Sequence, residues 1–266
     1  MSYADAWLKW FHVIERGAGD LSARMLDLAH AEEAVKLLDV GTGIGEPAVT
    51  AATYMHSFGR VVALDRDPDM INLARARAQA RGVDNIDFVV GDMDTPSLAS
   101  DSMDAILARW SLMFAADLPG TLTDLARILR PGGYLVAACW ATSDKVPALS
   151  LAKRSAYRYF DWTGPPISNA FNLADSKGLR LEFARAGFTH IVCEPVPVVY
   201  EFASVADYIQ NRLDLTGPLW DGMDSTPRPL RKEAFAAIGA AMQKHKSPVG
   251  TYRFENQAYC LAGRVE

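Results

Sequence analysis

The sequence predicts an α/β fold with a doubly wound, mostly parallel sheet. Three observations predict it. Short apolar runs alternate with helix-compatible, amphipathic segments. A glycine bend, Gly41, Gly43 and Gly45, joins the first run to a helical segment. Polar residues, Asp65, Asp92 and Arg109, follow the second, third and fourth runs, at the carboxyl ends of strands where such sheets bind ligands.

The stretch Lys36–Asp67 organises the chain. Val35 to Val40 is an apolar run short enough to be a buried strand. The glycines let the backbone turn sharply and approach a ligand where a Cβ would clash. Pro47 to Met55 is helix-compatible, and Pro47 suits a first helical turn. The helix start offers free N–H groups and a partial positive charge. Val61 to Leu64 is a second strand, and Asp65 stands 20 residues after Gly45, where a carboxylate can accept from two ribose hydroxyls. The unit is built to hold a nucleoside.

The dinucleotide pattern G-x-G-x-x-G needs glycine at position 46, and this chain has Glu46. A carboxylate at the helix start, joined by Asp39 just before the glycines, repels a pyrophosphate. It suits a phosphate-free ligand with positive charge. S-adenosylmethionine, with its sulfonium and ammonium, is favoured over a nicotinamide dinucleotide on this ground.

The remaining elements follow in order. Residues 3–16 read as an amphipathic helix with Trp7, Trp10, Phe11 and Ile14 on one stripe, while Lys9, His12 and Glu15 face elsewhere. It is either docked on the core or a lid over an aromatic ligand. Gly17-Ala18-Gly19 is expected to break it, and Leu21 to Ala29 forms another helix. Asp67 as N-cap and Pro68 at the first position start a helix that stops at Gly82. Ile86 to Val90 is a third strand ending in Gly91-Asp92-Met93, where the acid can accept from an adenine amino group. Met103 to Leu107 is a fourth strand, leading into Arg109-Trp110. Leu118 to Leu129 is helical, Arg130-Pro131-Gly132-Gly133 a sharp turn, and Tyr134 to Trp140 a fifth strand.

The segments LLDVGTGIGEPA, VVALDRDPDMINLARARA, FVVGDMDTPSL and DLARILRPGGYLVAACW together resemble the successive motifs of class I S-adenosylmethionine-dependent methyltransferases. The similarity is to the ubiquinone/menaquinone and natural-product small-molecule branch, and it covers about residues 35–140. The resemblance implies a seven-stranded, Rossmann-like sheet with a helical substrate cap, and S-adenosyl-L-methionine as cofactor. It implies Gly41, Gly43 and Gly45 beneath the methionine moiety, Asp65 on the ribose, Asp92 with Met93 at the adenine, and Arg109 beside the transferred methyl. Asp39, Thr42, Arg66, Gly91 and Trp110 are expected to bind the cofactor with them. Thr42 stands where many members have Cys or Ser.

Beyond the fifth strand, Ala148 to Phe160 and Asn172 to Ala186 read as helices, and Phe188 to Cys193 as a sixth strand continuing extended from Val196 to Phe202. Phe254 to Gly263 fits a closing strand. Residues 203–250 form an insertion. Ser204 and Asp207 make a capping box there, and Pro229 to Lys246 a second helix. A single domain is expected over 1–266. Its core spans about 21–140, 188–202 and 251–266; a cap comes from 1–20, 141–187 and 203–250.

Methyl transfer needs positioning and water exclusion more than protein chemistry. Candidate bases are His245, on the apolar stripe of a cap helix, and His12; His30, His56 and His190 read as structural. Arg109 either orients an anionic acceptor or walls the cofactor site. Trp110, Trp140, Tyr157, Trp162 and Phe171 suggest a flat, apolar acceptor, aromatic or polyketide-like. Transfer to oxygen is favoured, with carbon or nitrogen as options; the alternative is a non-methylating cyclisation or decarboxylation with the same cofactor.

Composition bounds the rest. A net charge of −5 without a basic block argues against nucleic acid as a partner. Cys139, Cys193 and Cys260 form no C-x-x-C, and no metal-ligand spacing appears. No signal peptide or membrane span is visible, so a cytoplasmic enzyme with a small-molecule acceptor is expected, compatible with a homodimer.

Overall fold

The computed structural model describes residues 2–160, 169–215 and 226–266. Seven strands form one sheet: β1 (Lys36–Val40), β2 (Arg60–Asp65), β3 (Ile86–Val90), β4 (Met103–Arg109), β5 (Leu129–Trp140), β6 (Thr189–Phe202) and β7 (Tyr252–Arg264). Their order is β3-β2-β1-β4-β5-β7-β6. The first five run parallel, and β7 pairs antiparallel with both β5 and β6. The winding reverses between β1 and β4, which opens a crevice at their carboxyl ends. Leu37 to Val40 are buried on both faces, which is why β1 reads as a continuous apolar run rather than an alternating one.

The helices flanking the parallel half are α2 (Ala48–Tyr54), α3 (Pro68–Ala80) and α4 (Leu118–Ile128). The α3 start is the expected one: Asp67 accepts from the Asp69 N–H at 2.9 Å, and Pro68 fills the first position. Pro47 is the residue before α2 rather than its first residue. Around these lie α1 (Tyr3–Leu28), α5 (Pro147–Ala156), α6 (Ser176–Arg185), α7 (Val205–Leu215) and α8 (Arg228–Met242). One hydrophobic cluster joins the sheet with α1, α5, α7 and α8.

Several expected boundaries shift. α1 is a single helix of 26 residues that runs through Gly17-Ala18-Gly19 without a break. Gly17 is there for contact, not for a turn: a Cβ would stand 2.3 Å from the Val199 carbonyl oxygen of β6. The neighbouring Ala18 is fully buried. The turn Arg130–Gly133 lies inside β5 as an irregularity in its pairing with β4. The sixth strand and its extension are one 14-residue strand. α6 starts four residues later than expected, because Asp175 accepts from the Lys177 N–H at 3.0 Å and sets the start. The Ser204 hydroxyl accepts from the Asp207 N–H at 3.0 Å, as its spacing predicts.

Candidate functional site

A cavity of about 330 Å³ opens at the carboxyl ends of β1, β2 and β4 and just past β3. Its floor is the glycine bend, Gly41 to Ile44. Its sides are Asp65 to Asp67, Gly91 to Asp94, and Arg109 to Ser111 with Phe114. Tyr3 and Trp7 of α1 cover it. Of the residues assigned to the cofactor from sequence, all but Asp39 and Gly45 line this cavity.

The glycines serve three different ends. Gly41 (φ +69°) lies against Ser111, whose Cβ would be 2.5 Å from an added Cβ. Gly45 (φ +99°) packs on Ala74 of α3 and Val49 of α2. Gly43 (φ +55°) faces open space, so its backbone is free to touch a ligand closely. Its N–H donates to Asp65 Oδ2 at 2.8 Å, while Asp65 Oδ1 accepts from the Asp67 N–H at 3.0 Å. Asp39 sits beneath the bend, fully buried, and accepts from the Ala48 N–H at 3.1 Å. It caps α2 instead of touching the cavity. Burial pushes its pKa up to about 7, against the opposing pull of the Thr42 hydroxyl, the Arg109 charge and the Ala48 N–H.

The Glu46 carboxylate also differs from its expected role. Its Oε2 accepts from the Thr50 N–H and hydroxyl at 3.2 and 2.7 Å. Its Oε1 pairs with Arg77 at 3.1 Å and Arg81 at 3.3 Å. The carboxylate is thus paired with the helix start and α3 rather than free, while Glu46 still lines the cavity.

Arg109 is 8 % exposed and walls the cavity. Its guanidinium is gripped by both oxygens of Glu15 and donates to Ser22 Oγ at 2.8 Å and to the Glu46 carbonyl at 3.2 Å. Burial alone would depress its pKa; the adjacent Glu15 carboxylate holds it above the ordinary value. Glu15, which the helical stripe placed facing elsewhere, therefore faces the site. The signal was a second ladder at i+4 spacing, Tyr3, Trp7, Phe11 and Glu15, running along the cavity side of α1. Phe11 lies under the Arg77 guanidinium at 3.8 Å.

Residues 31–186 match the family model described as a methyltransferase domain. The chain belongs to the class I S-adenosylmethionine-dependent methyltransferase family. Among the curated relatives of this chain, aklanonic acid methyltransferase DauC from a Streptomyces species is 34% identical over 43% of this chain and 52% of that protein. Nocamycin O-methyltransferase from Saccharothrix syringae is 34% identical over 43% of this chain and 41% of that protein. The chain thus matches about half the length of these relatives. The crystal structure of YcgJ from Bacillus subtilis shares the fold with a TM-score of 0.59 at 16% identity, over 93% of this chain and 99% of that one.

The cavity fits the cofactor of this methyltransferase family. The cradle over Gly43 is clear, and Asp65 is held with its oxygens oriented by the bend. Around it, the Ser111 hydroxyl and the indole N–H groups of Trp7 and Trp110 are buried without a partner among the described residues. Trp110, at φ +56°, stacks on Trp140 with centroids 4.5 Å apart. Trp140 itself is core, Tyr157 is exposed, Phe171 packs on the core cluster, and Trp162 lies outside the described residues.

Neither candidate base lines the cavity. His12 is exposed. His245 stacks on Phe254 of β7 at 4.4 Å, and burial together with Lys244 lowers its pKa. Its apolar stripe is explained by packing. Among the described residues no His, Cys, Asp and Glu group could hold a metal ion, and no helix is long and apolar enough to cross a membrane.

Proposed function

We propose that this methyltransferase transfers a methyl group from S-adenosylmethionine to a small aromatic or polyketide-like acceptor, oxygen being the favoured atom. The observation that carries it is the convergence of Gly43, Asp65, Asp92 and Trp110, from four separate strand ends, on one cavity roofed by Tyr3 and Trp7. When bound, the cofactor supplies an electrophilic sulfonium methyl. Gly43 would lie under its methionine part, Asp65 would accept from the ribose hydroxyls, and Asp92 with the Met93 N–H would read the adenine. Tyr3, Trp7 and Phe114 would exclude water and present a flat apolar surface to the acceptor. The names of the two relatives, an aklanonic acid methyltransferase and a nocamycin O-methyltransferase, support a small-molecule acceptor, and the second supports transfer to oxygen.

A screen of aromatic polyketide acids and phenols with methyl-labelled cofactor tests the reading. Label in an O-methyl product is the expected result. Acceptor turnover that leaves the cofactor unconsumed would identify the non-methylating alternative, and no turnover of this acceptor class would overturn the proposal.

A further inference from the structure

The Glu15–Arg109 pair is more than a strut. Arg109 is almost fully enclosed, walls the cavity, and touches the roof helix at Glu15 and Ser22 and the bend at the Glu46 carbonyl. A buried guanidinium left alone beside a cavity would oppose any cationic ligand. Glu46 and Asp39 also offset its charge, but their hydrogen bonds go to other groups, and the cavity acids Asp67 and Asp92 accept from the Asp69 and Asp94 N–H groups. Glu46 is bound to Arg77 and Arg81, and Asp39 caps α2. Asp65 holds the bend, and Asp94 accepts from the Ala116 N–H at 2.9 Å and from the Thr121 hydroxyl. Glu15 alone meets Arg109 through both oxygens, and it lines the same cavity.

We propose that Glu15 is a specificity-determining residue: by neutralising Arg109 it lets the cavity accept the cationic S-adenosylmethionine rather than only its neutral thioether product, S-adenosylhomocysteine. This rests on the cofactor reading above. The two ligands differ by one methyl and one positive charge. A residue that only anchors α1 would affect both equally, whereas a charge-neutralising one affects the sulfonium form selectively.

Calorimetry with both ligands separates these cases. In Glu15→Gln, the Kd for S-adenosylmethionine should rise about tenfold more than that for S-adenosylhomocysteine, the size of one uncompensated charge roughly 12 Å away at an effective dielectric of about 20. Glu15→Asp should keep a near wild-type ratio. The double variant Glu15→Gln/Arg109→Gln removes both charges and should restore the ratio even if absolute affinity drops. It also serves if Glu15→Gln alone folds poorly. Equal shifts for both ligands, no shift for either, or a double variant that keeps the skewed ratio would overturn the inference. Wild-type protein that binds neither ligand would instead sink the cofactor reading, and this inference with it.

Discussion

Asp65 Oδ2 accepts the Gly43 N–H at 2.8 Å, so the acid that ends β2 holds the bend that follows β1. The two cofactor determinants that sequence spacing treats as separate are one rigid unit. Asp65→Ala should therefore act twice, removing the proposed ribose acceptor and releasing the bend. Affinity for S-adenosylmethionine should fall by about 1–3 kcal/mol, the value of a charge-assisted pair of hydrogen bonds. Calorimetry that finds binding unchanged would count against the ribose role.

Gly43→Ala tests the cradle directly. The position has φ +55° and nothing within 4 Å of an added Cβ. The left-handed backbone costs an L residue about 1–2 kcal/mol. The methyl itself meets no protein atom, so it would intrude on ligand space. Cofactor affinity should drop by more than the stability does, read by comparing Kd with the urea midpoint. Equal losses would place the ligand away from the bend.

Much of this site was legible in the sequence because its chemistry is local. Asp67-Pro68 starts a helix and Gly41-x-Gly43 turns a strand through short-range sterics alone. The errors lie where a distant partner decides. Gly17 and Gly19 look like a helix stop, yet β6 passes so close to Gly17 that only glycine fits. Glu46 looks like a free charge, yet Arg77 and Arg81, more than 30 residues later, claim it. His245 reads as a candidate base on an apolar stripe, yet its ring stacks on Phe254, away from the cavity lining. Glu15 reads as outward-facing because the buried stripe of Trp10 and Ile14 marks only the core side of α1.

The two helix glycines should respond oppositely. Gly17→Ala places a Cβ 2.3 Å from the Val199 oxygen and 2.7 Å from the Tyr200 ring, so α1 must lift from β6. A loss of about 1–3 kcal/mol is expected from overpacking. Gly19→Ala meets nothing within 4 Å and should stabilise the helix by about 0.5–1 kcal/mol. Chemical denaturation of both variants is the check; similar effects of the two would mean that α1 is not seated as described.

Asp39 gives a pH signature. Its folded pKa is raised to about 7, chiefly by burial, whereas an unfolded Asp titrates near 3.9. The folded chain thus binds the extra proton between roughly pH 4 and pH 7. Its contribution is full below that window and is lost as pH rises through it. Asp39→Asn cannot titrate and still offers an oxygen to the Ala48 N–H. Its stability relative to wild type should improve from pH 5 to pH 8, by up to about 1.4 kcal/mol for each pKa unit removed. Parallel stability curves for the two proteins would show that Asp39 is ionised throughout.

Trp7 and Trp10 stand three residues apart on α1 and have separate duties. Trp10 is buried; its indole N–H donates to Asp214 at 2.7 Å, and its ring meets Phe202 edge-on at 6.4 Å. Trp7 covers the cavity, with Tyr3 edge-on at 6.2 Å, and packs on the small cluster of Ala4, Ile44 and Met70. Trp10→Ala should cost about 3–5 kcal/mol of stability, as for other core tryptophans. Trp7→Ala should cost less stability and instead lower kcat/KM for the acceptor by about tenfold or more, because water enters and the flat wall is gone. Trp7→Phe keeps a flat wall and should recover most of that loss. If Trp7→Ala and Trp10→Ala lose activity only in proportion to stability, α1 is scaffold along its whole length. A selective catalytic loss at Trp7 would make its first two turns a working part of the site.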